Sequence, residues 1–326
     1  MRVYANDPPC AAPAPSRTIA GFWRRLLAFA IDAFLTALPC AILGFAFYTF
    51  FSVSTVYGLL IGFSFTLLYF AILGSSVARG QTLGHRITEI QVVNREGNFI
   101  SLERSLLRYL ILLGPLLLSS QALPSSAPYA VKTSVDWLIS GAELAVVYLY
   151  LFNRSTQQSQ HDVATETYVV EAHGVGSVES PRFWAGHWAI LGGIAIVGVV
   201  LSIGFGNTVL ESAPFPELTG IQQAILNSGK VQSAGASVQK TWRNGEVRTG
   251  LIVNVVWKSK PLIIEQDATK IADIVIRADS QAFSRDFITV NFRDGFVVGF
   301  ATFSNSRQVS HDPATWIKQA ENFGLR

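Results

Sequence analysis

Long apolar stretches separated by short basic segments occupy the first two thirds of the chain, and a shorter-period alternation occupies the last third. A helix needs roughly 20 mostly apolar residues to cross a hydrocarbon core about 30 Å thick, because it rises 1.5 Å per residue. From Leu26 to Gly74 the only formally charged side chain is Asp32, and the run accommodates two spans with a reversal at Ser52-Val53-Ser54-Thr55. Leu106 to Leu118 predicts a third span, lengthened if Arg108 reaches up to the interface and interrupted at Gly114-Pro115. Val135 to Phe152, with Glu143 near its middle, predicts a fourth, and the uncharged, glycine-rich run from His187 to Phe205 a fifth. The first run is too long for the apolar part of a cleaved leader and leads straight into a second span, so it is expected to persist.

Beyond about residue 206 the period shortens. A helix is expected from Thr219 to Asn227, then strands Ala234 to Trp242 and Val247 to Trp257 joined at Asn244-Gly245, a strong hairpin signal. Ile264, Ala268, Ile271, Ile274 and Val275 follow at helical spacing in a helix starting at Pro261. A second hairpin is expected to pair Phe287 to Phe292 with Phe296 to Phe303 across Asp294-Gly295, and Asp312 to cap a last helix with Pro313 at its first position and Gly324 near its end. The order α, ββ, α, ββ, α predicts an α+β domain with a four-stranded antiparallel sheet. The expected architecture is an α-helical integral membrane bundle of five transmembrane helices followed by this soluble domain. Its divisions are a disordered cytoplasmic tail (1–17), a four-span membrane domain (18–172) with a cytoplasmic loop (75–105), a linker (173–186), a fifth span (187–205) and an extracytoplasmic domain (206–326).

Composition agrees with this picture: half of the 326 residues are hydrophobic, 14% are charged, and the mean hydropathy is +0.35. Soluble domains carry about 25% charge, so an ordinary cytosolic enzyme is disfavoured. The net charge of +3 comes from arginines beside the spans rather than from a patch, which sets nucleic acid aside as a partner. Arg2, Arg17, Arg24, Arg25, Arg79, Arg86, Arg95, Arg104, Arg108, Arg154 and Arg182 fall on one side of the predicted spans, with Lys132 in the short loops of the other. Short basic loops stay cytoplasmic, so the N-terminus is expected inside and the last domain outside an inner membrane. Cys10 and Cys40 are too few and too distant for a disulfide framework or a thiolate metal site.

Charged groups within a bilayer are costly and usually mark a pathway or a buried ion pair. Asp32 and Glu143 are therefore the candidate polar site, for a small cation, a proton or another small ligand. The alternative for Asp32 is an ion pair with an arginine that locks helices together. In the loop, glycines at 80 and 84 permit close backbone approach, Ile87 to Val93 reads as a short strand, Arg95 to Asn98 as its turn, and Ser101 as a helix cap. Arg104 and Arg108, four residues apart on that helix, are expected at lipid headgroups. His161, Asp162 and His173 lack the spacing of a metal site, and a hydrogen-bonded His161-Asp162 pair is the expectation instead. No nucleophile and base arrangement is found, so neither catalysis nor a cofactor is expected.

The segment Gly21 to Asp32, GFWRRLLAFAID, resembles the opening motif of the RDD family of membrane proteins. The resemblance continues through Gly80-Gln81-Thr82-Leu83-Gly84, Ile90-Gln91-Val92-Val93 followed by Gly97, Ser105-Leu106-Leu107-Arg108, His161-Asp162 and Thr167-Tyr168-Val169-Val170, and covers residues 18 to 171. It places the family's arginine on Arg25 and its aspartates on Asp32 and Asp162, and it implies transport of ions or small ligands. Two departures stand out: His85 replaces the usual lysine, and Val-Ala-Thr-Glu follows His161-Asp162 in place of a glycine-containing turn. The competing reading is an anchored interaction or sensing protein that presents its last domain to a partner in the cell envelope.

Overall fold

The computed structural model describes residues 16–117, 129–154, 156–179, 183–212, 214–243, 245–257 and 263–326. They fall into two compact units, one within Met1–Leu35, Thr66–Pro115 and Ala142–Leu191, the other within Thr36–Phe65, Leu116–Gly141 and Gly192–Arg326. The apolar windows form α1 (Phe22–Ala46), a short α2 (Tyr48–Val53), α3 (Thr55–Leu73), α5 (Leu102–Leu117), α6 (Tyr129–Phe152) and α8 (Gly186–Glu211). The reversal after the first span is thus a turn of helix ending at Ser54.

Among the described residues three helices, α1, α3 and α6, are long and apolar enough to cross a membrane. The described apolar part of α8, Gly186–Leu201, is shorter, and α5 has 16 residues. Three of the five expected spans therefore meet the length criterion. Phe34, Leu38 and Ile42 on α1 are more than half exposed, an apolar surface that suits hydrocarbon and not water. The tail expectation for Met1 to Pro15 lies outside the described residues. Ser16 and Arg17 are held: Ser16 bridges to Ser177, and Arg17 donates to the carbonyls of Gly176 and Gly97.

In the first unit, α4 (Leu83–Ile87) and β1 (Ile90–Val93) replace the single strand expected over Ile87 to Val93. Thr82 caps α4 by accepting from the His85 N–H at 3.2 Å, and the helix takes in Ile87, the first residue of the expected strand. β1 then pairs antiparallel with β2 (Tyr168–Glu171), Val92 opposite Val169. The expected turn is present, with Gly97 at φ +85 and the Asn98 N–H on Asn94 Oδ1. Ser101 caps α5 through the Arg104 N–H. Between α6 and β2 lies one further short helix, α7 (Gln160–Ala164).

The second unit holds α9 (Phe215–Asn227), β3 (Val231–Arg243), β4 (Glu246–Trp257), α10 (Ile264–Ala278), β5 (Phe287–Val298), β6 (Ala301–His311) and α11 (Pro313–Asn322). Its sheet has the order β3-β4-β5-β6, and β4 runs parallel to β5, Val253 beside Val290. The sheet is therefore mixed, not antiparallel. Two hairpins in sequence do not fix the direction of the inner pair; α10 carries the chain back along the sheet, and a returned chain lays its next strand parallel. Ile225, Leu251, Ile271, Val275, Val290 and Trp316 fill the core, with the Trp316 indole N–H on the Ile288 carbonyl at 3.0 Å. Arg243 opposite Glu246 and Gly245 at φ +83 place the first hairpin as expected; Asn244 and Pro261 lie outside the described residues. Asp312 accepts from the Thr315 N–H at 2.9 Å, and Gly324 ends α11 at φ +65.

The second hairpin is longer than its sequence predicts. Asp294 and Gly295 lie within the ladder, opposite Asn305 and Ser304, and the chain reverses at Gly299, φ +55. The extra length has a core of its own, because Phe296, Val298 and Ala301 are buried with Cys40 of α1 and Phe51 of α2. Gly44 lies under the Phe296 ring, while Gly58 and Gly62 of α3 face the backbone of Val297 to Gly299, where a Cβ on Gly62 would land on Gly299 itself. Small residues at i and i+4, familiar from close helix pairs, here seat a β-hairpin. The Tyr48 hydroxyl donates to Asp294 Oδ2 at 2.6 Å, and Phe45 meets Phe296 edge to face at 5.0 Å.

Candidate functional site

Three buried charges meet in the first unit. Asp162 is fully buried, and its Oδ2 accepts from the Ser159 N–H at 3.2 Å, which closes the first turn of α7 and aims the carboxylate inward. Arg108, four residues beyond Arg104 on α5, donates from Nη2 to Asp162 Oδ1 at 2.6 Å and from Nε at 3.2 Å. Arg25, in the first turn of α1, lies with Nη1 3.5 Å from Asp162 Oδ2. Its guanidinium also donates to the carbonyls of Ala20 (3.0 Å), Gln157 (2.6 Å) and Val169 (3.0 Å), so one side chain ties together the chain entering α1, the turn before α7 and β2. Buried charges are tolerated when paired and hydrogen-bonded in this way.

Around the three charges lie two buried histidines. Burial lowers His161 to about 4; Asp162 opposes that shift, and Arg108 and Arg25 add to it. Burial, with Arg108 and Arg25, lowers His85 to about 3. Burial works against the charge of Asp162, yet His161, Arg108 and Arg25 together hold it well below the usual carboxylate range. At neutral pH the cluster is two guanidinium ions, one carboxylate and two neutral imidazoles. A lysine at position 85 would add a third cation beside Arg108 and Arg25, and histidine spares the site that repulsion.

This arrangement fixes a pH dependence. A histidine whose folded value lies below its unfolded value of about 6.5 confers full stability above that pH and loses it as pH falls toward the folded value, by up to about 1.4 kcal/mol per pH unit. Asp162, also depressed, loses its contribution below about pH 4, in the same direction. The unfolding midpoint of the detergent-solubilised protein is therefore expected to fall steadily from pH 6.5 to pH 4, and to fall less in H85Q and H161Q. A flat midpoint over that interval would contradict the assignment.

Asp32, seven residues along α1 from Arg25, is also fully buried. It accepts from the Tyr69 hydroxyl of α3 at 2.7 Å, the Thr82 hydroxyl at 2.5 Å and the Gly84 N–H at 2.7 Å. The Gly80 to Gly84 run is folded around this carboxylate. Gly80, at φ +66, passes so close to Val92 that a Cβ would meet its carbonyl, and a Cβ on Gly84 would meet the Ala28 carbonyl and Asp32. Thr82 both caps α4 and holds Asp32.

The expected site residues thus divide. Arg25 and Asp162 meet each other and Arg108, whereas Asp32 has its own ring of neutral donors. Arg108, expected at headgroups, is 3% exposed and committed to Asp162. Arg104 donates to the carbonyls of Thr165 and Glu166 and to the Glu166 carboxylate. Glu143 is half-buried on α6 and has no hydrogen bond or ion pair among the described residues. His161 Nε2 lies 3.6 Å from Asp162, beyond hydrogen-bond length, and His173 is exposed beside Glu89. Among the described residues no group of three His, Cys, Asp or Glu is placed to hold a metal. Tyr69 and Thr82 are the partners that sequence reasoning passed over; the cap position of Thr82 before Leu83-Gly84 was a signal for one, and nothing local marks the other.

No curated protein and no solved structure matches the chain. Residues 19–166 match the family model described as RDD family, and this stretch, which contains Arg25, Asp32, Arg108 and Asp162, is similar to RDD family membrane proteins.

Proposed function

We propose that the bundle binds, and passes across the membrane, a small cation or other small ligand at Asp32, with Glu143 as a second acid on the route. The observation that carries this reading is a fully buried carboxylate whose ring of donors, Tyr69, Thr82 and Gly84, is neutral. Neutral donors of this kind hold a carboxylate in place for a ligand, whereas Asp162 is already engaged by two arginines. The Tyr109 hydroxyl and His85 Nδ1 support the reading further: both are buried and lack a hydrogen-bond partner, as polar groups lining a ligand path would. In this reading Arg25, Arg108 and Asp162 hold the frame, the N-terminus and the 75–105 loop are cytoplasmic, the last domain lies outside an inner membrane, and no reaction is catalysed.

The test is flux through the purified protein in liposomes, with pH and cation dyes inside. D32N is expected to reduce wild-type flux at least tenfold and E143Q to reduce it less; equal rates for D32N and the parent, or protein-free rates for the parent, would overturn the proposal. A second reading, an anchored sensor, rests on a cleft of about 240 Å³ in the last domain, lined by Ser228, Lys230, Trp257, Lys270 and Asp273. Full flux from a chain ending at Ala172 would favour the transporter, whereas protein-free flux from a parent whose last domain captures a ligand would favour the non-transporting sensor.

A further inference from the structure

A cleft of about 330 Å³ opens in the loop that follows α3, lined by Val77, Ala78, Arg79, Gln81 and Arg86. Two guanidinium groups share it, and neither the Arg79 nor the Arg86 side chain has a hydrogen bond or ion pair among the described residues. Gln81 spends its side-chain N–H on the Ile90 carbonyl, which fixes the floor of the cleft. Arg79 stands at φ +57, ψ +34, a left-handed conformation in which a residue with a Cβ is strained, and Gly80 follows at φ +66. Strain of this kind persists where the surrounding structure needs the side chain in that place. Here it turns the Arg79 side chain out at the end of a tight turn, Ser76–Ala78, that begins three residues after α3 ends at Leu73.

We propose that this cleft binds the phosphate group of an anionic phospholipid in the leaflet facing the loop. Paired guanidinium groups suit phosphate because their planar forks offer parallel donors to its oxygens. The surroundings argue for a lipid as the source of that phosphate: Val77 in the lining is 69% exposed, and Ile87 and Leu83, on the short helix that carries Arg86, are 65% and 41% exposed, apolar surface close in the chain to the two arginines. A free phosphate would use the floor and leave that surface in water; a phospholipid uses both, with its acyl chains toward the bilayer. These residues are distinct from Asp32 and its ring, so the inference stands or falls apart from the transport reading.

The test uses the full chain in detergent micelles with fluorescent phosphatidylglycerol, and phosphatidylcholine and inorganic phosphate as competitors. Phosphatidylglycerol is expected to bind at least tenfold more tightly than phosphatidylcholine, millimolar inorganic phosphate to leave it bound, and R79Q/R86Q to lose at least tenfold in affinity. R79G keeps the test clear of misfolding, because glycine takes the left-handed position without strain and still removes the guanidinium; it is expected to bind the lipid several-fold more weakly while unfolding no earlier than the parent. R154Q, which removes an exposed arginine elsewhere in the same unit, is expected to bind like the parent. Parental affinity in R79Q/R86Q would overturn the site, and displacement by inorganic phosphate would overturn the lipid as its source.

Discussion

Replacing Asp162 with alanine is expected to destabilise the membrane unit by about 3–5 kcal/mol, the cost of removing one partner from a buried ion pair. The substitution leaves Arg25 and Arg108, 5% and 3% exposed, as two like charges with no carboxylate between them. The two arginines are not equivalent in what remains. Arg25 keeps the carbonyls of Ala20, Gln157 and Val169, whereas Arg108 keeps the Thr167 hydroxyl at 3.2 Å. Adding R108M should therefore return part of the loss, because it removes the charge left with less compensation, and the two substitutions should be strongly non-additive. Thermal unfolding followed by tryptophan fluorescence measures both. A D162A protein as stable as its parent, or strict additivity in the double variant, would refute the lock.

Gly62→Val is expected to release the β5–β6 tip from its seat. The added side chain would occupy the space of the Gly299 backbone, and a backbone cannot step aside as a flexible side chain can. Overpacking in a fitted core costs about 1–3 kcal/mol, which raises the open population of the contact by one to two orders of magnitude. Hydrogen exchange read by mass spectrometry should then show amides of 296–303 exchanging at least tenfold faster. Amides of α10, in the sheet domain's own core, should keep their rates, since Ile271 and Val275 pack on the sheet and not on the tip. Unchanged protection at the tip would mean that the seat contributes nothing. Gly58→Ala, which meets the Val297 carbonyl, should act in the same direction and more weakly.

Much of the architecture was legible because it depends on neighbours in the chain. Apolar length marked α1, α3 and α6; alternation marked the strands; Ser101, Asp312 and Gly324 marked helix ends by hydrogen bonds that span three or four residues. The site was legible in its membership and not in its pairing. Arg25, Asp32, Arg108 and Asp162 were each singled out, yet nothing local tells an arginine seven residues from one aspartate to pair instead with another 137 residues away. On α1 the Asp32 carboxylate lies two turns from Arg25, about 10 Å along the axis, too far for contact.

By itself the sequence determined three membrane-length helices, the presence of two hairpins, the helix caps and the costly charges among apolar residues, since each follows from the period of side chains along a helix or strand and from hydrogen bonds within a turn. Only the tertiary structure decided which partners those elements took. It laid β5 parallel to β4 because α10 returns the chain. It moved the second turn from Asp294-Gly295 to Gly299, because Phe296, Val298 and Ala301 find their apolar partners in Cys40 and Phe51 rather than in the sheet's own core. It turned Arg108 from the headgroups to Asp162, because α7, folded by contacts 54 residues further on, delivers a carboxylate to a guanidinium that would otherwise seek water.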